Sequence, residues 1–424
     1  MDEASPIDPR QLSGIRQLRQ LLPLLSSLRE VGCDRDSAGN RDLHFDQYVT
    51  LVLLYLFNPM LGSMRALQRA SAVEKISRQL GVKRFSLGSF SESVRVFDPE
   101  KLKAVVRRLA DELKPVNADP RVKAHLGRHA LHLVDGTVLD AIATVTEAAW
   151  LPFKDGSVKH AWRLHVDFDF ETFVPDPDGI ELTDARNSGP SDEKNVLRKK
   201  LRPDCCYVMD RWFAQFTLLN AINARASSYV CRARENSVFE VEREGELSSA
   251  ALQAGVVRDA VVRMGIASRP GDRPDHAMRL VVIEAEPHVK RGGRRGKTAG
   301  PGNNGTIVLV TNLADVPAEI IALIYRHRWA IEIFFRFFKQ TLGCRHLLSH
   351  RREGILIQAY SAVIACMLIN LWTGRRPDRR TFEMLSFYFM DIATEAELRA
   401  HLTRPDNTGV KLRAKEALWK KLGF

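Results

Sequence analysis

The residues best suited to chemistry lie in one stretch, YRHRWAIEIFFRFFKQTLG, residues 325–343. An α-helix turns about 100° per residue, so Tyr325, Arg328, Glu332 and Lys339 fall on a stripe roughly 60° wide. Ile324, Ile331, Phe334, Phe335, Phe338 and Leu342 gather on the adjoining face. One side of this helix is predicted to be buried, with an acid, two bases and a phenol in file along its edge. An ordinary amphipathic helix with solvated i,i+4 charge pairs would share that spacing. What sets the stripe apart is its length, its mixed charge and its place against the apolar edge, as in the wall of a site.

Two further acids could complete the site. HALHLVDGTVLDAI (129–142) is predicted as a strand that delivers Asp135 at its end, and CCYVMDRWF (205–213) as an apolar strand ending in Asp210. Acids at the ends of neighbouring strands can converge at one edge of a sheet, and Glu332 can reach over from a helix packed on it. Clustered carboxylates repel, so a divalent cation is what stabilises such a group. Oxygen-only ligands suit Mg²⁺ or Mn²⁺ rather than zinc. Two such ions, ~3.5–4 Å apart, can activate a water or a 3′-hydroxyl and stabilise the leaving oxygen of an in-line phosphoryl displacement. Arg328 and Lys339 would then hold DNA phosphates. Each acid also has a plainer reading. An Asp before Gly-Thr is a common turn former, and Asp210 before Arg211 could cap a helix or join a surface ion pair. Asp140, Asp167, Asp169 and Asp204 are competitors that spacing does not exclude.

The elements that must position these residues follow from periodicity. Residues 1 to about 125 read as helical, with a basic segment at 62–97 in which a helix ends near Leu80, Gly81 stops it and Ser86 or Ser89 caps the next. Arg65, Arg69, Lys75, Arg78, Lys83, Arg84 and Arg95 make this region a candidate DNA-binding unit. HAWRLHVDFDF (160–170) alternates as a strand; a charged helix near 191–202, a helix after Asp210 and a strand at 228–236 follow. Residues 237–305 are looser, with a helix-like piece through SSAALQAGVVRDAVVRMG and a strand HAMRLVVIEA. They end in a run carrying Lys290, Arg291, Arg294, Arg295 and Lys297 among glycines, predicted as a basic loop. TIVLVTNL (306–313) restores a strand ahead of the Glu332 helix, and helices close the chain.

At 424 residues the chain calls for two or three domains. Sixty-three Lys and Arg against 51 Asp and Glu give a net charge of +12, which favours a polyanionic partner. Six scattered Cys without a C-x-x-C pair argue against a zinc site or a disulfide framework and fit a reduced, cytosolic compartment. The N-terminus has no apolar signal core, and the apolar runs at 48–57 and 362–372 are too short to span a bilayer, so a membrane is not expected.

The Tyr-x₂-Arg-x₃-Glu-x₆-Lys spacing of Tyr325, Arg328, Glu332 and Lys339, with VLVTNL before it, LVDGT around Asp135, and DRWF and YVCRAREN around and after Asp210, resembles the DDE transposases of the insertion-sequence-four family. The similarity covers roughly residues 40 to 375. It implies an α/β fold: an RNase H-like catalytic core interrupted by a mostly β insertion, with N-terminal and C-terminal helical regions. The implied divisions are 1–125, 126–236, 237–305, 306–350 and 351–424. The resemblance makes Asp135, Asp210 and Glu332 the catalytic metal ligands for Mg²⁺ or Mn²⁺, with two ions expected. Tyr325, Arg328 and Lys339 would contact the DNA backbone. The implied reaction is hydrolytic nicking, attack of the freed 3′-hydroxyl and strand transfer, with transposon terminal inverted repeats and target DNA as partners, a homodimer on DNA and a site of action at the nucleoid. Two features depart from the pattern. Trp212 stands where many members have Gly, and is predicted to pack in the core. Residues 237–305 hold no Trp or Tyr that could receive a flipped base. Trp329 has two readings, a base-stacking residue or one at the edge of the core. A catalytically idle end-binding protein and a metal-dependent nuclease without strand transfer are the alternatives in function.

Overall fold

The computed structural model describes residues 18–19, 21–31, 35–36, 39, 41–141, 149–152, 158–235, 237–266, 272–284 and 305–403. The predicted basic loop, with Lys290, Arg291, Arg294 and Arg295, lies outside them. The chain divides into two compact units, Met1–Asp98 with Leu368–Phe424, and Pro99–Met367.

The described part of the first unit is helical. The apolar helix α1 (Phe45–Phe57) is followed by α2 (Met64–Ser71), α3 (Glu74–Leu80) and α4 (Leu87–Ser93). Gly81 ends α3 in the left-handed region at φ 63°, where the missing Cβ removes the steric penalty. The Ser86 hydroxyl accepts the Ser89 N–H and caps α4, as the sequence predicts. Stacked rings run through its aliphatic core: Phe45 stacks on Phe97 at 4.7 Å and Tyr48 on Phe90 at 4.3 Å between ring centroids.

The second unit begins with α5 (Leu102–Ala110) and α6 (Pro120–Leu126). Its described residues form one eleven-stranded sheet. Strand β1 (Ala130–Ala141) runs antiparallel to β3 (Val158–Asp169), and the far edge of β3 receives β2 (Ala149–Pro152), β4 (Val174–Pro175) and β5 (Glu181–Asp184). On its other side β1 pairs in parallel with β6 (Cys205–Met209), and β6 in parallel with β7 (Ser228–Arg232). The order β5-β3-β1-β6-β7, with three antiparallel strands followed by two parallel ones, is that of an RNase H-like core. Helix α7 (Glu193–Lys200) and helix α8 (Phe216–Asn223) supply the crossovers that parallel strands require.

The same sheet continues through the insertion. Beyond β7 come β11 (Thr306–Thr311), β10 (Met278–Glu284), β9 (Val256–Met264) and β8 (Phe239–Glu244), all antiparallel. The described part of the insertion is thus mostly β. One detail differs from the sequence reading. Only Ser249–Gln253 of the helix-like piece is helical (α9), and VVRDAVVRM is strand β9. Its Val residues lose side-chain freedom in a helix and pack well on a pleated surface, so the β-branched composition outweighs the helical spacing.

Helix α10 (Ala318–His327) packs on β7, β9 and β10, and α11 (Trp329–Arg336) crosses β1. The Phe334 ring lies 5.0 Å from that of Phe168 on β3. Every apolar residue assigned to the helix's buried face, Ile324 through Leu342, is buried. The stretch is not one regular helix, however. Arg328 joins two α segments, and Phe337–Thr341 forms a π turn. Finally, α12 (Arg352–Thr373) is longer than its apolar run suggested. It is long and apolar enough to cross a membrane, but 94% of its most apolar window is buried inside the protein. It is followed by α13 (Arg379–Phe389) and α14 (Glu395–Thr403).

Phe334 fastens the second helix segment to the sheet. Phe334→Ala is expected to cost about 3–5 kcal/mol, seen as a lower denaturation midpoint of the unit that holds the sheet.

Candidate active site

The parallel ladder of β1 and β6 ends at Leu133 opposite Val208. Two residues further along each strand come Asp135 and Asp210. Side chains two apart share a face, and Asp210 keeps an extended backbone at φ −79°, ψ 179°. The register therefore sets the two residues level on adjacent strands, whose backbones lie ~4.8 Å apart in the hydrogen-bonding direction. Asp135 is not at the end of its strand, as the sequence suggested. β1 continues to Ala141 with β3 still paired beside it. The end that matters is that of β6, which leaves the ladder just before Asp210.

Each acid spends one oxygen on a backbone N–H. Asp135 Oδ1 accepts from Gly136 at 2.8 Å, and Asp210 Oδ1 accepts from Trp212 at 2.8 Å. Burial pushes Asp135 up to about 7, and the charges of Asp210 and Glu193 add to that rise, while the Gly136 N–H and Arg328 oppose it. Glu193 is a residue the sequence reading missed. It sits at the start of α7 against Gly136, whose missing Cβ leaves room for its carboxylate. Arg163 holds it at 2.8 Å and Asn187 at 3.3 Å. Its only sequence signal is the Asp192 cap before it, which says nothing about Asp135.

The helix stripe supplies the opposing charge. The Arg328 guanidinium forms an ion pair with Glu332 and also acts on Asp135. Burial works against the Arg328 charge, but Tyr325, Glu332 and Asp135 outweigh it and raise its pKa. Tyr325 is buried, which raises its own pKa, and it lies in the field of Arg328, Arg232 and Asp210. Lys339, in the π turn, donates to the Val138 carbonyl at 2.7 Å and so ties the helix to β1 just past Asp135. Asp135, Asp210, Arg328 and Tyr325 are thus electrostatically joined, Glu332 is held by Arg328, and Lys339 anchors the far end of the stripe.

The competing acids have structural partners. Asp167 lies on the opposite face of the sheet, opposite Val134, where it accepts from His132 at 2.7 Å and Arg202 at 3.1 Å. Burial disfavours a charged His132, yet the charge of Asp167 and its hydrogen bond lift the imidazole well above its usual pKa. Asp169 accepts the N–H groups of Glu171 and Thr172, and Asp204 pairs with Arg128 at 2.8 Å. Asp140 is exposed. Trp212 is not in the core. It is 46% exposed because its neighbour Phe213, 2% exposed, takes the inward position of the turn. Trp329 is 45% exposed.

The sequence pattern of the family described as "Transposase DDE domain" matches residues 127–368, more than half of the chain. The chain belongs to the DDE transposase family. A Sinorhizobium fredii protein whose name calls it a transposase, y4zB, is 27% identical over 66% of this chain and 71% of its own length. A Geobacillus stearothermophilus protein named as the transposase of insertion sequence element IS5377 is 24% identical over 87% of this chain and 88% of its own. A Synechocystis protein named for insertion sequence element IS4SA is 36% identical over 16% of this chain and 22% of its own. A solved piggyBac transposase synaptic complex with hairpin DNA covers 97% of this chain and 85% of that chain at 12% identity and a TM-score of 0.39. No residue role follows from that likeness. The DDE transposase is an enzyme of DNA transposition, cleaving and joining DNA, and the family works with a divalent metal.

The donor set agrees with such a metal. Asp135 and Asp210 present oxygens only, side by side, in a setting that disfavours a second negative charge. Among the described residues no three His, Cys, Asp or Glu side chains stand close enough to hold an ion together, consistent with Glu332 being turned towards Arg328.

The strained charge has a sign that can be measured. Because folding raises the Asp135 pKa from 3.8 to about 7, the folded protein binds a proton that the unfolded chain releases across that window. This group therefore makes metal-free protein less stable as pH rises between those values. Asp135→Asn in EDTA is expected to melt above the unsubstituted protein at pH 8 and to lose that advantage near pH 4. A difference in melting temperature between variant and unsubstituted protein that does not change with pH would contradict the raised pKa of Asp135.

Proposed function

We propose that Asp135, Asp210 and Glu332 are the metal-binding catalytic carboxylates of this transposase, taking Mg²⁺ or Mn²⁺ as a pair of ions. The observation that supports this most is the β1–β6 register, which sets two half-buried acids side by side, neither with an ion-pair partner among the described residues. A divalent cation there supplies Lewis-acid stabilisation of charge on the phosphoryl oxygens. The protein's own residues do the rest. Asp135 and Asp210 are fixed by backbone N–H groups and a rigid ladder, so they need little reorganisation. Arg328 exchanges the Glu332 carboxylate for a DNA phosphate oxygen, which frees Glu332 to turn towards the acid pair. The site is thereby completed only with DNA in place. Tyr325 and Lys339 line the same track and contact the backbone beside the scissile bond.

The substrate is then a transposon end, with target DNA in the joining step. The exposed Arg65, Arg69, Arg78, Lys83, Arg84 and Arg95 of the first unit, together with Lys290, Arg291, Arg294 and Arg295, would carry phosphates outside the site. Residues 1–125 thus act as a DNA-binding region and 237–305 as the insertion. Assignment to the insertion-sequence-four group rests on the Tyr325–Arg328–Glu332–Lys339 spacing. Two ends must be held together for transposition, so a homodimer on DNA is the working form, at the nucleoid.

A supercoiled plasmid carrying the terminal repeats, incubated with the protein and Mg²⁺, tests the reading. Excision with joining is expected. Binding without cleavage would instead indicate an idle end-binding protein, and nicking without joining a nuclease. Glu332→Ala is expected to reduce cleavage to background while end binding persists. Cleavage that survives this change removes Glu332 from the site. End affinity should fall steeply between 50 and 200 mM salt, by about a thousandfold if some six phosphates are contacted.

A further inference from the structure

Behind the first acid stands a carboxylate that the proposed chemistry does not use. Glu193 opens α7 and is 6% exposed. An acid in the first turn of a helix ordinarily faces water, where it answers the helix dipole. This one faces inward. A Cβ added to Gly136 would meet its Oε1 at 2.2 Å, so the carboxylate fills the space where that side chain would be. Successive strand residues point to opposite faces, so Glu193 lies on the reverse of the sheet from the Asp135 side chain and is not placed to share its ion. The same glycine donates its N–H to Asp135 Oδ1 at 2.8 Å. Gly136 is thus held between two carboxylates, one accepting its N–H and one pressed against its Cα.

Glu193 is held there from two sides. Arg163 donates to it from β3 at 2.8 Å. Asn187, in the left-handed region at φ 56°, accepts the Glu193 N–H at 2.9 Å and donates to Oε2 at 3.3 Å. Asn tolerates that conformation better than most residues. A buried ion pair adds little stability over apolar residues of the same volume, so this one points to a task of position. The same helix also reaches the turn of the second acid. The Lys194 ammonium lies 4.3 Å from the centre of the Trp212 ring, and the Trp212 N–H bonds to Asp210 Oδ1 at 2.8 Å. One turn on, Arg198 donates to Gln215 and Thr217, both at 3.2 Å. We propose that Glu193 is a positioning residue of the metal site: it holds the peptide whose N–H fixes the Asp135 carboxylate, and through α7 it ties that acid to the Asp210 turn. This rests on the reading that Asp135 and Asp210 hold the metal.

The test uses the full chain with Mn²⁺ alone, the free ion being read by electron paramagnetic resonance. Asp135→Asn identifies the binding that belongs to the acid pair. Glu193→Ala is expected to weaken that binding about tenfold, the scale of a lost support behind a metal ligand. It should raise the Mg²⁺ concentration for half-maximal plasmid cleavage by a similar factor. A residue needed only for folding would reduce the amount of active protein and leave both midpoints unchanged. Glu193→Gln keeps the shape and still accepts from Arg163, so it should restore most of the affinity. Gly136→Ala keeps every charge but displaces the carboxylate. It should also cost about tenfold, and it carries the test if Glu193→Ala does not fold. The double variant should bind no more weakly than either single one, because both act at one contact. An unchanged Mn²⁺ affinity in either single variant, a Gln variant as weak as the Ala one, or losses that multiply in the double variant would remove Glu193 from this role while leaving the acid pair as the metal site. If Asp135→Asn binds Mn²⁺ as the unsubstituted protein does, the reading beneath falls as well.

Discussion

The parallel pairing of β1 with β6 is the constraint on which the rest depends. Parallel strands run the same way, so acids at matching positions emerge together, at one end and on one face. β3 keeps its hydrogen bonds to β1 through and beyond Asp135, so β1 stays extended while β6 turns away. The acid pair therefore forms at the point where one neighbour persists and the other leaves. That departure opens the sheet edge, and the Asp210 side chain makes the turn by accepting the Trp212 N–H.

The two faces of β1 treat charge in opposite ways. On the side of Asp167, burial is matched by complete pairing among His132, Asp167, Arg202 and Asp176, with Arg202 reaching Asp176 at 2.5 Å. Such a network is costly to break because each member left alone would be a desolvated charge. Gly179 packs so tightly on Asp167 that an added Cβ would meet its Cβ at 2.5 Å. The side of Asp135 is left short of positive charge. The acids are fully paired on one face, whereas on the other Asp135 and Asp210 have backbone N–H partners and only the field of Arg328 against their charge.

The helix bearing Glu332 answers to both requirements. Its first segment is locked in place from several directions: Arg279 bridges Asp259 and the carbonyl of Val316 just ahead of it, and His327 reaches Asp119 at 3.2 Å. Its second segment is fastened by phenylalanines. Between them, Arg328 carries the only change of helix geometry before the π turn, and it is the residue that holds Glu332. A π turn adds a residue without a new helical repeat, and such turns are frequent at functional sites. Here the turn carries Lys339, whose ammonium donates to the Val138 carbonyl.

How much was legible beforehand follows from which interactions are local. Spacing alone drew out the Tyr325–Arg328–Glu332–Lys339 file, because side chains on one helix face repeat at intervals set by backbone geometry; Asp135 and Asp210 were candidates among several acids until the family resemblance singled them out. The cap at Ser86 and the stop at Gly81 were equally legible, since each is decided within a few residues. What only the tertiary structure decided was long-range. Asp135 lies within its strand rather than at its end, since β3 and not the local sequence sets where β1 stops. The VVRDAVVRM segment became a strand because β8 and β10 were there to pair with it. Trp212 faces outward because Phe213 won the inward position, and Glu193 arrived beside Gly136 by way of a helix nearly sixty residues along. Spacing in a chain reports the angle at which a side chain leaves the backbone; which charge stands opposite it depends on register and packing between segments, and those are settled only when the sheet closes on its helices.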